Sequence, residues 1–170
     1  MSDGAAFDAL VAEALAIAAP ARRLKLRGEP ETIELHAIGW ATVDADRAAG
    51  ELRRVLGLPE EEPVAMPAEG PLGARCLRLE RDDDGPALVL LEPTTEGRLA
   101  AALARRGEGV AVAWVAPGLD DTRLLARANL GGLVLSAVGR GPFGTERVVL
   151  GGRAWGPHLV LTAPGATMTA

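Results

Sequence analysis

Residues 107–115 read "GEGVAVAWV": a glycine-rich turn running into a short apolar strand. Residues 36–42, "HAIGWAT", carry the same pattern. In both, a small residue, a branched apolar residue, a small residue and a tryptophan follow one another: Ala37-Ile38-Gly39-Trp40 and Ala111-Val112-Ala113-Trp114. A repeat of this kind sets the architecture, because each copy marks the start of one structural unit. Around the first copy, Asp44 is placed to cap a helix over "ADRAAGELRRVLG", and Gly57 is placed to stop it. Three short strands follow, "EEPVAMP", "GARCLRLERD" and "PALVLLEP", separated by turn signals. Around the second copy the order recurs: strand, the helix "LDDTRLLARANLGG", then strands "LVLSAVGR", "TERVVLGG" and "PHLVLTAP". A β-α-β-β-β unit cannot bury its sheet face alone, so two should pair. The expected fold is α+β: two βαβββ modules forming one curved mixed sheet around a central cleft, preceded by an N-terminal helix. The expected boundaries are a helical extension over 1–30, a first module over 31–95 and a second over 96–170, the modules together making one domain.

The N-terminal segment "GAAFDALVAEALAIAA" has Phe7, Leu10, Val11 and Leu15 at helical spacing, with Pro20 as its stop. The chain has 170 residues and a net charge of −5, which argues against a nucleic-acid partner. Its single cysteine, Cys76, forbids an internal disulfide and fits a reducing compartment. No secretory signal and no membrane-length apolar run stand out, so a cytoplasmic protein with no membrane partner is expected. Nothing in the sequence fixes the oligomeric state; the N-terminal apolar stripe leaves room for a homodimer.

The segment "LLEPTTEGRLAAALARRGEGVAVAWV", with "AIGWATVDADRA" and "GRGPFGTERVVL", resembles methylmalonyl-CoA epimerases of the vicinal oxygen chelate (glyoxalase/bleomycin resistance) superfamily. The resemblance spans about residues 32–164. It implies paired βαβββ modules and, in the members that are enzymes, a divalent metal. That metal is held by a His on the first strand and a Glu or Gln on the last strand of each module. Here the corresponding positions are Ala37, Val89, Ala111 and Val160; anchoring on Gly107 instead of Trp114 puts Val112 in place of Ala111. None offers a lone pair to a metal. The expectation is that the chain carries no catalytic metal and no cofactor.

Other candidates follow from strand alternation. His158 shares a face with Val160 and is the candidate acid or base. His36 is expected to face away from the cleft, and Trp40 and Trp114 to lie under the helices. The residues expected to line the cleft are Ala37, Gly39, Val89, Leu91, Ala111, Ala113 and Val160, with Arg75 from the neighbouring strand and Phe143 from the "GRGPFG" turn. Of Arg75 and Arg78, which alternation places on opposite faces, one should point inward. Cys76 reads as a small buried residue and Glu92 as a structural or capping one. The first functional expectation is a metal-free protein that binds a mid-sized, largely apolar small molecule in the cleft. The alternative is a metal-independent isomerase, cyclase or lyase using His158. A divergent epimerase-like or non-catalytic interaction protein is a further alternative.

Overall fold

The computed structural model describes residues 3–152 and 155–164; the ends of the expected first and last segments, 1–2 and 165–170, lie outside them. Helix α1 (Asp3–Ala18) runs into a 3-10 helix (Ala19–Leu24), with Pro20 in its first turn, where a missing N–H costs nothing. The apolar helical stretch is therefore longer than Pro20 implies. Gly4–Leu24 is long and apolar enough to cross a membrane by length and composition, which corrects the expectation that no such run exists. In this fold its small residues face the core: Ala14, Ala18, Ala21 and Leu24 are buried beside Phe7, while Leu15 is exposed. The Arg81 guanidinium lies 3.2 Å from the centre of the Phe7 ring and ties the helix to the turn after the third strand.

The first module comprises β1 (Leu35–Ala41), α2 (Ala45–Leu56), β2 (Val64–Glu69), β3 (Ala74–Leu79) and β4 (Ala87–Pro93). Helix α3 (Arg98–Arg106) connects it to β5 (Gly109–Val115), α4 (Asp121–Leu130), β6 (Val134–Leu135), β7 (Gly139–Gly141), β8 (Gly144–Leu150) and β9 (His158–Ala163). The strand expected over "LVLSAVGR" is thus split into two short pieces. The strands form one sheet in the order β2-β3-β4-β1-β5-β9-β8-β6, with β7 paired to β8. Strands β1 and β4 are parallel, as are β5 and β9, and the modules join through antiparallel β1 and β5. Each module thus repeats the same pairing.

The turns are anchored by carboxylates. Asp44 accepts from Arg47 N–H at 3.0 Å and caps α2, as its position implied. Glu92 accepts from Ala45 N–H at 2.8 Å, a second anion at the same helix start. Glu108, from the opening stretch, accepts from the Thr42 hydroxyl at 2.7 Å and from Val43 N–H at 3.0 Å, and it pairs with Arg47. Its carboxyl is held down to about 2, first by Arg47. The loop of the second module is thereby fastened to the strand end of the first.

Two cores result. On the helix side, Ile38, Leu88, Leu90, Val110, Ala113, Leu159 and Leu161 meet α1, α2 and α4. On the concave side, Ala37, Ala41, Ala74, Cys76, Val89, Leu91, Val112, Trp114, Val148 and Val160 meet one another and Leu99 of α3.

Candidate functional site on the concave face

The positions matched to metal ligands converge on this concave side, but among apolar neighbours. Ala37, Val89 and Val160 are fully buried, and Ala111 is 6% exposed. A β-carbon added at Gly39 would lie 2.7 Å from Leu91 and 2.8 Å from Trp114 and Val112, so side chains already fill the space between the strands. Leu91 is part of this interior. Ala113 is not: it pairs with Ile38 and belongs to the helix-side core, so its expected place in the cleft is corrected.

The cause is a β-bulge. The pairing of β1 with β5 shifts between Gly39 opposite Val112 and Trp40 opposite Val110, leaving Ala111 as the extra residue. One extra residue inverts the alternation beyond it. Trp114 therefore enters the concave interior, fully buried, instead of lying under the helices as expected. Trp40 does lie on the helix side. A second shift, between Leu35 and Ala37, accommodates His36. Its ring meets Phe143 edge-on at 4.6 Å, so it sits at the mouth of the concave side instead of facing away. Burial lowers its pKa, opposed by Glu34.

Arg75 is also corrected. It is exposed and approaches Asp46 of α2 and Glu92 at 3.7 and 3.6 Å, on the outer face. Arg78, opposite Val89, takes the concave side and pairs with Glu80 at 2.7 Å. His158 lies on the concave side, opposite Val112 and 3% exposed, and its Nε2 has no partner. Burial, then the Arg98 charge, lowers its pKa.

The concave side holds two buried glutamates that the sequence reading did not single out as a pair. Glu69 ends β2 and Glu146 lies on β8; they are 0% and 1% exposed. The curl of the sheet brings them together. Gly70 N–H donates to the Arg140 carbonyl at 2.9 Å, joining the β2–β3 turn to β7. Glu146 accepts from the indole N–H of Trp114 and from the backbone N–H of Phe143, both at 3.2 Å. Glu69 has no backbone donor and no other side-chain donor; its partner is the carboxyl of Glu146. Gly141 makes room for the pair, since a β-carbon there would sit within 2.5 Å of the Glu146 carboxyl.

Burial, and then the neighbouring charge of Glu146, pushes Glu69 up to about 10. Burial also raises Glu146, offset by the hydrogen bonds it accepts. The physical assignment is a neutral Glu69 beside a Glu146 that holds the pair's negative charge, because the hydrogen bond from Glu69, then those from the Phe143 N–H and the Trp114 indole, favour the ionised form there. Cys76, close to both, is pushed up to about 12 by burial and remains a thiol. Glu146 is level with Thr162 on β9, four residues from His158, a separation of about 13 Å along a strand. The pair and His158 therefore mark opposite ends of the concave side.

A sequence signal existed for Glu146: it alternates with Val148, which shares its face. Glu69 had none, since a lone Glu before Gly-Pro reads as a turn residue.

The implied metal does not fit here. The four matched positions carry no donor atoms, and among the described residues no group of three His, Cys, Asp or Glu side chains could hold an ion.

No protein-family model matches this chain, and no curated protein matches it. Solved structures do. It is similar to methylmalonyl-CoA epimerase from Mycobacterium tuberculosis at 20% identity and a TM-score of 0.66, covering 86% of this chain and 97% of that one. A variant of the Streptomyces coelicolor methylmalonyl-CoA epimerase in complex with 2-nitronate-propionyl-CoA matches at 24% identity and 0.61, covering 79% and 100%. A hypothetical protein from Bacillus halodurans matches at 17% and 0.62, covering 82% and 99%. With its two βαβββ modules joined through β1 and β5, this chain has the vicinal oxygen chelate fold in the form found in methylmalonyl-CoA epimerases.

Proposed function

We propose that this chain is a metal-free small-molecule-binding protein, and that its ligand is a mid-sized, largely apolar compound held on the concave side. The observation that carries the reading is the replacement of all four matched ligand positions by Ala37, Val89, Ala111 and Val160 in an interior of small residues around Trp114. Small side chains facing an aromatic wall suit an apolar guest. In the closed structure these residues are in contact, so the guest is admitted by displacing Phe143 and parting the Gly70–Arg140 contact. That contact comprises one backbone hydrogen bond and the packing of Pro71 against Gly139. The test is native mass spectrometry of protein purified without chelators or detergent. The expected result is an organic adduct of a few hundred daltons, lost on denaturation. A bare polypeptide mass that also fails to take up any apolar probe would contradict the reading.

A second reading has its own support. Two carboxyls driven apart in acidity are a common arrangement for acid–base work. A metal-independent proton-transfer enzyme would use Glu69 and Glu146 in place of His158. Loss of turnover in Glu146→Gln, with His158→Ala active, would select it over simple binding.

A further inference from the structure

A cavity of about 390 Å³ lies on the helix side of the sheet, away from the concave interior. Beyond the Leu35–Val115 pair, segments 30–34 and 116–119 leave the sheet and wall this cavity together with the 3-10 helix and α4. Its floor is apolar: Ala21, Leu24 and Val115 are 3–5% exposed, and Ile33 and Leu119 pack against the same core. Its charged lining consists of Lys25, Arg127, Glu29 and Glu34. Two of these are committed to each other. The Arg127 Nη1 donates to both oxygens of Glu29, at 3.2 and 3.0 Å, and to the Leu24 carbonyl at 3.1 Å. Glu29 also accepts from Leu26 N–H at 2.8 Å. One nitrogen thus orients the whole guanidinium, on a side chain only 22% exposed. The Nε and Nη2 of Arg127 donate to no protein group among the described residues. Lys25 and Glu34 form no ion pair among those residues either.

We propose that this cavity binds an apolar α-amino acid: its carboxylate on the Nε–Nη2 edge of Arg127 and on Lys25, its ammonium on Glu34, and its side chain on the Leu24–Val115 floor. The side-on edge of a guanidinium carries two parallel N–H donors, which match the two oxygens of a carboxylate. With Nη1 already engaged, that edge is what Arg127 has left to offer. The lining charges then choose between ligands. A plain carboxylate would also face Glu29 and Glu34, and a plain ammonium would also face Lys25 and Arg127. The four charges sum to zero, so a ligand with one group of each sign keeps the site balanced and gives both unpaired side chains a partner. The cavity's volume and its apolar floor with a few polar groups are those of a small-molecule site. A purely structural role for Arg127, fastening the 24–29 turn to α4, accounts for Nη1 but not for the unused edge beside a cavity. The site shares no residue with the concave side and stands apart from the function proposed above.

The test is titration of the isotope-labelled whole chain, followed by amide NMR shifts, with L-leucine, N-acetyl-L-leucine and L-leucinamide at neutral pH. Leucine should shift the amides of Leu24, Ile33, Val115 and Leu119 and leave those of Val89 and Val160 in place. N-acetyl-leucine lacks the ammonium and leucinamide lacks the carboxylate, so each should bind at least about tenfold more weakly. Lys25→Gln and Glu34→Gln, both at exposed positions, should each weaken leucine by roughly three- to tenfold. Glu34→Gln should leave N-acetyl-leucine unaffected. Arg127→Lys keeps the charge without the planar edge and should weaken leucine and N-acetyl-leucine but not leucinamide. No shift at these amides in roughly millimolar leucine, or equal binding of the three compounds, overturns the proposal. Leucine-induced shifts confined to Val89 and Val160 overturn it as well, since they put the ligand on the concave side. If Arg127→Lys does not fold, the ranking of the three compounds and the two surface variants decide.

Discussion

Trp40 and Trp114 occupy the same place in the two repeats and end on opposite faces of the sheet. Trp40 lies in the helix-side core and is only half-buried, whereas Trp114 is fully buried in the concave interior and bonded to Glu146. The sequences around them differ little. What differs is where the extra residue falls: at His36, ahead of the repeated pattern, in β1, and at Ala111, inside it, in β5. A repeat in sequence therefore fixes the order of elements but not the phase of a strand. Here the change of phase places an indole in the concave interior.

This contrast can be broken experimentally. The largest effect is expected from Trp114→Ala, which removes a fully buried indole and one of the two N–H donors to Glu146 and should cost about 3–5 kcal/mol in chemical denaturation. Trp40→Ala should cost less than half as much. Equal costs would mean that the two indoles occupy equivalent environments. Next comes Gly39→Ala, which forces a methyl group into Leu91, Trp114 and Val112 and should cost ~1–3 kcal/mol. Ala113→Gly, its counterpart in the other repeat, should lose only the effect of one methyl group and of backbone freedom, ~1 kcal/mol.

A third effect has the opposite sign. The folded chain holds a proton on Glu69 up to about pH 10, whereas the unfolded chain releases it near pH 4.3. The native state then binds more protons than the unfolded one between these values, so stability falls as pH rises through that window. Glu69→Gln, which keeps a neutral donor in place, should flatten this dependence and raise the melting temperature near pH 8 by roughly 3–10 °C. A variant melting below the native chain at pH 8 would mean that the carboxyl is ionised and satisfied there. The smallest effect is expected at Glu108. Its carboxyl is depressed to about 2, so its contribution is present above the unfolded value and is lost as pH falls toward 2. Glu108→Gln should therefore reduce acid sensitivity slightly, measured as a shallower loss of helical signal between about pH 4 and 2.

Much of the fold was legible because its signals are local. Asp44 caps α2 and Gly57 ends it, in the left-handed conformation that glycine permits. The alternation that puts Val89 and Leu91 inward and Leu88 and Leu90 toward the helices is written in β4 without interruption. The site was less legible because its determinants are not local. A bulge cannot be seen in "GVAVAWV", where every residue is apolar and either phase buries a hydrophobic face. The misplacement of Ala113 and Trp114 follows from that one ambiguity. Arg75 and Arg78 were correctly set on opposite faces, but their sense depended on the partner strand. The Glu69–Glu146 contact arises only when the sheet curls until Gly70 meets Arg140, sequence positions 70 residues apart.

The proposed function requires that the apolar concave side hold no metal. The direct measurement is metal content by plasma mass spectrometry. Protein prepared without chelators would be dialysed against zinc, cobalt and nickel, then freed of excess. The account expects well under a tenth of an equivalent of each, unchanged in Glu69→Gln. Close to one equivalent of any of them, lost in that variant, would contradict it.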